Sequence, residues 1–375
     1  MKTIEQQNMP INFNSSKKRQ WAKERKPFSA FFELTSRCNM NCIHCYLQDH
    51  HDTEDLSYAE VIKIIDILYE HGILFLTFSG GEIFTRNDFK EIYLYAKHKG
   101  FLIELFSNGL AIDKEIIEVF KKYPPLLVDI SLYGACEETY RTVTGVRGAF
   151  FRVVDNCKKL ISAGIRVSLK TPVLRETCYE IEDMRDLANS LNVPFCVTYE
   201  INATIDRDNK TKGHQLPMAD MLRYEFLDHE RNDQETLESE EINLYKVNTD
   251  SVFLCNVAQC SFIIDYQGRM CPCMKFRHRG MKLTKENFDS IWNEFGKLQY
   301  IKATPEYKCK SCIARYYCDE CPAEREFLYG ELEKVNPHTC KYAHARYVYY
   351  REKMSIDEAI AFSINSTKGG AEDEL

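Results

Sequence analysis

The sequence lacks long apolar runs and a strong charge of one sign. No window approaches the roughly 20 consecutive apolar residues that cross a bilayer, and the N-terminus MKTIEQQNMPINF has no apolar core of the kind found in secretory signals. Lysine and arginine number 49 against 56 aspartates and glutamates, so the net charge of -7 does not suit a protein that neutralises phosphates. We therefore expect a cytoplasmic protein with neither a membrane nor a nucleic-acid partner.

Cysteine, by contrast, is abundant. The chain has 16 cysteines in 375 residues, and disulfides are disfavoured in the reducing compartment that the missing signal indicates. Metal binding or redox chemistry is therefore the leading interpretation. The length and the hydrophobic content of 44% allow one large domain and a smaller one.

The first half of the chain alternates short apolar runs with longer amphipathic stretches, which indicates strand and helix units around a parallel sheet. In YAEVIKIIDILYEHG, for example, the apolar residues fall at three-to-four spacing and Gly72 ends the pattern. Right-handed crossovers would wind six such units into an α/β partial (β/α)6 barrel resembling a TIM barrel, with functional loops at the strand C-termini. The six predicted strands are residues 30–34, 74–78, 101–106, 127–132, 165–170 and 194–199.

The second half breaks this rhythm. Residues 203–250 are polar and acidic, and their pattern fits a helical bridge or a flexible linker. Beyond residue 251, nine cysteines fall between Cys255 and Cys340. This segment has few apolar residues for a core of its own, so we expect bound metal to hold it together. The predicted domains are an N-terminal extension (1–29), a barrel (30–202), a bridging region (203–250), a cysteine-rich domain (251–345), and a C-terminal helix with a disordered tail (346–375).

Three cysteines follow the first predicted strand at CxxxCxxC spacing, in Cys38-Asn39-Met40-Asn41-Cys42-Ile43-His44-Cys45-Tyr46. A loop of this spacing can place three thiolates on one face of a four-iron cluster and leave the fourth iron without a protein ligand. Taken alone, the spacing also allows a zinc site or buried packing cysteines. Zinc would need a fourth ligand, and His44 does not suit that role, because it lies between two of the cysteines and its side chain is expected to point in a different direction from theirs.

The motif resembles the hallmark of the radical S-adenosylmethionine (SAM) superfamily, and elements at the next strand ends extend the resemblance. Gly80-Gly81-Glu82 matches the family's GGE element, which receives the ammonium group of SAM, and Ser107-Asn108-Gly109 is similar to its ribose-contacting element. Without the resemblance, Ser107-Asn108-Gly109 could be an ordinary turn, and Arg152, whose counterpart in many relatives binds the carboxylate of SAM, could form a surface salt bridge. The SAM-binding residues that the resemblance implies are Tyr46, Gly80, Gly81, Glu82, Ser107, Asn108, Ser131 and Arg152.

The resemblance also implies the reaction class. An electron from a [4Fe-4S] cluster held by Cys38, Cys42 and Cys45 would cleave SAM to methionine and a 5'-deoxyadenosyl radical. The cofactor performs the difficult step, while the protein supplies position and excludes solvent. A separate reductant such as flavodoxin or ferredoxin would supply the electron. No general acid or base is assigned; Tyr133, Tyr199, Glu200 and Asn202 lie near strand ends and are more simply explained as structural.

The later cysteines resemble a SPASM domain, which carries two auxiliary four-iron clusters. The resemblance implies one cluster on Cys255, Cys260, Cys273 and Cys321, and an outer one on Cys309, Cys312, Cys318 and Cys340, so that the chain would hold three [4Fe-4S] clusters. Two residues rather than the usual three precede Cys321. Cys271 is a packed thiol or a substitute ligand, a zinc ribbon remains an alternative, and buried packing is expected for Cys136, Cys157, Cys178 and Cys196.

Relatives with such clusters oxidise peptide or protein side chains, which leads us to expect a radical SAM oxidoreductase that matures a ribosomally made peptide by a thioether or carbon-carbon crosslink. Formylglycine formation by an anaerobic sulfatase maturase and haem or cofactor synthesis are the alternatives. Sulfatase maturases carry Asp after the cysteine that matches Cys273, where this chain has Met274. The 37 residues before Cys38 are too few for the family's leader-binding domain, so a separate recognition protein or the region 203–250 would bind a precursor peptide.

Overall fold

The computed structural model describes residues 20–47, 55–199, 201, 204–205, 210–231, 250–319 and 321–365. Most of the predicted N-terminal extension, the acidic part of the predicted bridge, the predicted disordered tail, and Glu200 and Asn202 lie outside these residues. The chain divides into two compact units. The barrel unit comprises Glu24–Gln215 and Ala258–Phe295, and the second unit, within the described residues, comprises 20–23, 216–231, 250–257 and 296–365.

Six parallel strands form the first part of the barrel unit, and all six sequence predictions are confirmed to within about two residues. In the first strand, for example, the apolar residues Ala30, Phe32 and Leu34 are buried on one face, and the side chains between them lie on the opposite face. The strands are β1 (Ser29–Thr35), β2 (Phe75–Gly80), β3 (Leu102–Ser107), β4 (Leu127–Ser131), β5 (Val167–Pro172) and β6 (Phe195–Thr198).

The helices of the barrel unit connect successive strands. The predicted helix around residue 64 is confirmed as α1: Ser57 and Glu60 form a capping box at its start, and Val61, Ile64, Ile65 and Leu68 are buried. The helices are α1 (Tyr58–Glu70), α2 (Phe89–His98), α3 (Lys114–Lys122), α4 (Glu137–Thr144), α5 (Ala149–Ser162) and α6 (Ile181–Ser190). This is the partial (β/α)6 barrel expected from the sequence.

Three further strands extend the same sheet beyond β1. They are β7 (Ser261–Ile264), β8 (Arg269–Cys271) and β9 (Met281–Lys282), and the complete order is β6-β5-β4-β3-β2-β1-β7-β8-β9. Strand β7 pairs in parallel with β1, from Ser29 opposite Ser261 to Phe32 opposite Ile264. A 3-10 helix, Met274–Arg279, separates β8 from β9. Residues 258–295, which the sequence analysis assigned to the cysteine-rich domain, thus cluster with the barrel.

The second unit is mainly helical. Its helix α7 (Met218–Arg231) lies in the predicted bridging region, and α9 (Pro322–Tyr329), α10 (Pro337–Tyr350) and α11 (Ile356–Asn365) follow the last cysteine pairs. Helix α8 (Phe288–Gly296) ends where the chain leaves the barrel unit. The described parts of the chain contain no helix that is long and apolar enough to cross a membrane.

Candidate metal and cofactor site

The three cysteines of the CxxxCxxC motif lie on the loop that follows β1, at the C-terminal edge of the sheet. Cys38, Cys42 and Cys45 are all half-buried. Burial raises the pKa of Cys38 to about 11 and that of Cys45 to about 12, and burial and then the two neighbouring thiols raise the pKa of Cys42 well above its usual value. Thiolates at these positions therefore need a strong local positive charge, as bound iron would provide.

Hydrogen-bond donors face all three sulfur atoms. The Asn108 amide lies 3.6 Å from the Cys38 sulfur, which also receives the backbone N–H of Met40. The hydroxyl of Tyr133 bonds to Cys42, and the backbone N–H of Leu47 bonds to Cys45. Donors of this kind stabilise metal-bound thiolates and tune cluster potentials. The donor set therefore fits a cluster that takes one thiolate from each cysteine.

Backbone contacts fix the loop against two neighbouring elements. Gly81 donates to the Thr35 carbonyl and Glu82 to the Arg37 carbonyl, each at 2.8 Å. Asn41 and Ile43 donate to carbonyls of Thr144 and Val143 at the end of α4, at 2.9 and 3.0 Å. The segment from Thr35 to Ile43 therefore accepts hydrogen bonds from the residues that follow β2 and donates hydrogen bonds to the end of α4.

The two glycines of the GGE element make this approach possible. A Cβ on Gly80 would lie 2.1 Å from the Thr35 carbonyl oxygen, and one on Gly81 would lie 2.2 Å from that of Arg37. Real Cβ atoms do not reach such distances. This packing role of the glycines is not visible in the sequence, because it depends on the loop after β1 passing over the end of β2.

Glu82 is fully buried and joins the ends of β2 and β3. Its carboxylate accepts from the Ser107 hydroxyl at 2.9 Å and from the Asn108 backbone N–H at 2.7 Å. Burial raises the pKa of Glu82 to about 7, against the opposing effect of these donors. The side-chain amide of Asn108 in turn donates to Asn39, at 2.7 Å, inside the cysteine motif. The structure therefore brings Glu82, Ser107 and Asn108 together beside Cys38.

Ser131 and Arg152 occupy different surroundings. Ser131 ends β4, and its side chain bonds to the Tyr133 hydroxyl that also bonds to Cys42, so it belongs to the network around the cysteine loop. Arg152 lies in the first turn of α5 with an exposed side chain. Tyr133 is part of the site, and Tyr199, at the end of β6, is half-buried.

Two charged pairs in the barrel unit were not predicted from the sequence. Tyr46 donates to Glu33 of β1 at 2.8 Å, and Arg277 of the 3-10 helix also pairs with Glu33. On the same face of the sheet, Lys170 of β5 pairs with Asp129 of β4 at 2.8 Å, and its ammonium lies 3.1 Å from the centroid of the Phe106 ring. The sequence does show polar residues at alternate positions of these strands. It does not show which residues they pair with.

The geometry gives no support to a zinc ion at this loop. The ring of His44 packs against Tyr133 with centroids 5.0 Å apart, and burial and the nearby His214 lower its pKa to about 4. Within the described ranges, no three His, Cys, Asp or Glu side chains are grouped so that they could hold a metal ion. A four-iron cluster differs in this respect, because no iron takes more than one protein thiolate and the thiolates need not converge on a single metal ion.

The later cysteines are distributed over both units. Cys260 and Cys273 belong to the barrel unit, and the second unit contains Cys255, Cys309, Cys312, Cys318, Cys321 and Cys340. Cys255 lies near enough to Cys321 for that thiol to contribute to its raised pKa, after burial. The Cys312 sulfur lies 3.9 Å from His344 Nε2, whose ring also bonds to the Cys340 carbonyl at 2.9 Å. Cys312, Cys340 and His344 are therefore neighbours.

The cysteines outside these sets are packed differently from one another. Cys271 is buried, and its sulfur faces the backbone carbonyl of Arg269 at 3.6 Å. Cys157 is buried as expected, and Cys178 and Cys196 are half-buried. The expectation of burial was wrong for Cys136, which is exposed because it precedes the first turn of α4 in the loop after β4.

Comparison with known proteins agrees with this geometry. Residues 32–188 match the profile of the Radical SAM superfamily. The chain is 26% identical over 272 residues to the antilisterial bacteriocin subtilosin biosynthesis protein AlbA of Bacillus subtilis, covering 71% of this chain and 60% of that protein. It is 33% identical over 187 residues to the Fe-coproporphyrin III synthase of Methanosarcina barkeri, covering 48% and 46%. The chain thus spans about half to three-fifths of the length of these two relatives.

Among solved structures, the chain resembles Streptococcus suis SuiB bound to its precursor peptide SuiA. The TM-score is 0.66 with 16% sequence identity, and the match covers 87% of this chain and 79% of SuiB. At this identity the likeness concerns the fold. It extends beyond the barrel, because the barrel unit alone comprises fewer residues than the match.

Proposed function

Residues 32–188 form a radical SAM domain, and from that premise we propose that the chain is an iron-sulfur oxidoreductase that matures a ribosomally made peptide. The observation that carries the proposal is the CxxxCxxC loop, in which three half-buried thiols each receive a hydrogen bond and lie beside the GGE element. A radical SAM domain implies SAM and one [4Fe-4S] cluster.

In this proposal Cys38, Cys42 and Cys45 hold the cluster, which with SAM supplies a 5'-deoxyadenosyl radical when both are bound. The residues around the loop bind and orient SAM: Glu82 takes the ammonium group, Asn108 and Ser107 the ribose, and Ser131 the carboxylate. Glu82, Ser107 and Asn108 support this assignment by lying together next to Cys38. Tyr46, Gly80, Gly81 and Arg152 complete the proposed set. Arg152 has the least support, because its side chain is exposed.

We further propose two auxiliary [4Fe-4S] clusters with the ligand sets given above. The outer set is supported by Cys309, Cys312, Cys318 and Cys340 all belonging to the second unit, where Cys312 and Cys340 share the neighbour His344. The role of these clusters would be to accept an electron from the substrate radical or to orient the substrate.

A peptide substrate is supported by the relatives. AlbA is named for subtilosin biosynthesis, and SuiB is seen with its precursor peptide. Haem or cofactor synthesis is the second candidate, because the Fe-coproporphyrin III synthase has the higher identity of the two curated relatives. Formylglycine formation is less well supported, since Met274 and not an acid follows Cys273. A reductant of the flavodoxin or ferredoxin type and, for a peptide, a separate recognition protein are the proposed partners.

The test is anaerobic reconstitution of the protein with iron and sulfide, followed by incubation with SAM and dithionite. We expect release of 5'-deoxyadenosine, and loss of this release when Cys38, Cys42 and Cys45 are all replaced by alanine. A variant with Cys136 and Cys178 replaced by alanine is the matched control and should keep the parental rate. Nucleoside release by the triple variant would refute the proposal.

The substrate class is tested with the reconstituted enzyme and two kinds of probe. Precursor-type peptides, preferably encoded next to this chain, should lose hydrogen in pairs, a change of about 2 Da per crosslink by mass spectrometry. A porphyrin precursor of iron-coproporphyrin III should remain unchanged. Conversion of the porphyrin and not of the peptides would replace the first candidate by the second.

A further inference from the structure

Arg277, Glu33 and Tyr46 form a connected group inside the barrel unit. Arg277 Nη1 donates to Glu33 Oε2 at 2.7 Å, and Arg277 Nη2 donates to Glu33 Oε1. The Tyr46 hydroxyl donates to the same Oε1 at 2.8 Å. The guanidinium also lies 5.3 Å from the centroid of the Tyr46 ring. Glu33 is thus held from two sides, and Tyr46 contacts both members of the ion pair.

The ion pair is buried. The Glu33 side chain has no exposed surface and that of Arg277 is 11% exposed. A buried ion pair adds little stability compared with an apolar pair of the same volume, whereas the loss of one partner is costly. Stability alone therefore gives a weak reason for this arrangement. Its geometry, with two parallel N–H groups on one carboxylate, fixes the position of that carboxylate.

The group connects two segments that are distant in the sequence. Tyr46 directly follows Cys45, and its backbone carbonyl accepts from the N–H of Ile205 at 3.1 Å. Arg277 belongs to the 3-10 helix Met274–Arg279, which begins directly after Cys273. The salt bridge therefore joins β1, the strand that leads into the cysteine loop, to the segment that follows Cys273, over 244 residues of chain.

We propose that Arg277 and Glu33 are positioning residues for SAM: Arg277 fixes Glu33, and Glu33 fixes Tyr46 at the edge of the cysteine loop. The inference rests on the proposed function, in which Tyr46 is one of the SAM-binding residues. An aromatic side chain held at its hydroxyl and covered by a guanidinium presents one orientation to the cofactor, so less conformational entropy is lost when the cofactor binds.

The experiment measures the dissociation constant of SAM on reconstituted protein, by equilibrium dialysis, together with iron content. Arg277→Gln should raise the dissociation constant about tenfold while the iron of the radical cluster is retained. Arg277→Lys keeps the charge but not the paired donors, so its dissociation constant for SAM should lie between those of the parent and of Arg277→Gln. Arg279→Gln is the matched control, because Arg279 lies on the same 3-10 helix with an exposed side chain. It should bind SAM as the parent does.

A double-mutant cycle separates positioning from a general structural role. Tyr46→Phe removes the hydroxyl that Glu33 holds, so Arg277→Gln should weaken SAM binding much less in that background than alone. A full and additive effect of Arg277→Gln in Tyr46→Phe would overturn the inference, as would parental affinity in both Arg277 variants. If Arg277→Gln holds too little iron to assay, the same double-mutant cycle is measured with Arg277→Lys and Tyr46→Phe, and the same two outcomes would overturn the inference.

The same measurements keep the inference distinct from the proposed function. A parental protein that binds no SAM would refute the proposed function itself. A parental protein that binds and cleaves SAM, with Arg277 variants that bind it equally well, would refute only the positioning role.

Discussion

At the level of single residues, the glycines of the GGE element serve the packing of the cysteine loop. Gly80 has a φ of +131°, which side-chain-bearing residues rarely adopt, and Gly81 lies under the carbonyls of Ser36 and Arg37. From the sequence, the GGE element was assigned to SAM binding through its resemblance to the family's element. The structure shows that the backbone before Cys38 already fills the space where a Cβ would stand.

We therefore expect Gly81→Ala to disrupt the loop. The added methyl group would meet backbone atoms that cannot rotate away, at a cost of about 3 kcal/mol, and the variant should lose most of the iron of the radical cluster on reconstitution. Gly213→Ala is the control, since a Cβ there meets nothing within 4 Å. Parental iron content in Gly81→Ala would show that the loop can shift without losing its ligand geometry.

Glu82 gives a pH dependence whose direction follows from its burial. Its pKa is raised to about 7, so the carboxyl is largely protonated below that pH in the free protein. The proposed ammonium contact requires the charged form, and SAM binding must then release a proton. We expect the dissociation constant of SAM to increase as the pH falls below 7, approaching tenfold per pH unit.

The matched variant for this prediction is Glu82→Gln, which keeps the size of the side chain. It should bind SAM more weakly at pH 8 and show no pH dependence between pH 6 and 8. A parental pH profile that stays flat over this range would mean that Glu82 is not the group that receives the ammonium.

At the level of secondary structure, the sequence was sufficient where an element is defined by its own pattern. Strands β1 to β6 were predicted because each is a run of apolar residues between amphipathic helices. Strand β7, with the sequence SFII, was missed because four residues are too few to distinguish it within a cysteine-rich segment. Its pairing with β1 depends on residues more than 200 positions away, which no local pattern contains.

The same limit applies to the candidate site. Cys38, Cys42 and Cys45 were predicted from their spacing after the first strand, and Glu82 from the resemblance of its segment to the GGE element. Glu33 looked like an ordinary strand residue, and Arg277 like one of several basic residues after Cys273, because the bond between them spans 244 positions. Burial and hydrogen bonding are what identify the pair, and both are properties of the folded chain.

In the second unit, Arg346 on α10 forms an ion pair that links this helix to α7. Its guanidinium donates to both oxygens of Glu225 on α7, at 2.8 and 2.9 Å, and also pairs with Asp319 beside Cys318. Arg346→Met would leave Glu225, whose side chain is only 15% exposed, without its partner. We expect the second unit to lose about 3 kcal/mol of unfolding free energy.

The measurement for Arg346→Met is hydrogen exchange, because a protein of two units need not unfold in one step. Amides of α7 and α10 should exchange faster, while those of β1 to β6 keep their protection. Arg351→Met, at an exposed position just beyond α10, is the control. Unchanged exchange in α7 would mean that packing alone holds the two helices.

For the whole molecule, the two units divide the proposed metal sites unequally. The CxxxCxxC loop and the proposed SAM-binding residues all belong to the barrel unit, whereas the four proposed outer ligands belong to the second unit. The barrel unit is also larger than the sequence boundary at residue 251 suggested, because β7 to β9 extend its sheet. In the proposed function, the residues that generate the radical therefore belong to a different part of the chain from the ligands of the outer cluster.

This division leads to a final prediction. Three clusters would give about 12 iron atoms per chain after reconstitution, at four per cluster. Replacing Cys309 and Cys312 by alanine should remove about four of them. Because the barrel unit retains the CxxxCxxC thiols and the proposed SAM-binding residues, the variant should still release 5'-deoxyadenosine at close to the parental rate, while modification of a peptide substrate should be lost. The matched control, Cys136 with Cys178, should keep all of the iron and both activities. If the outer-cysteine variant instead lost nucleoside release with its radical-cluster iron intact, the second unit would contribute directly to SAM cleavage.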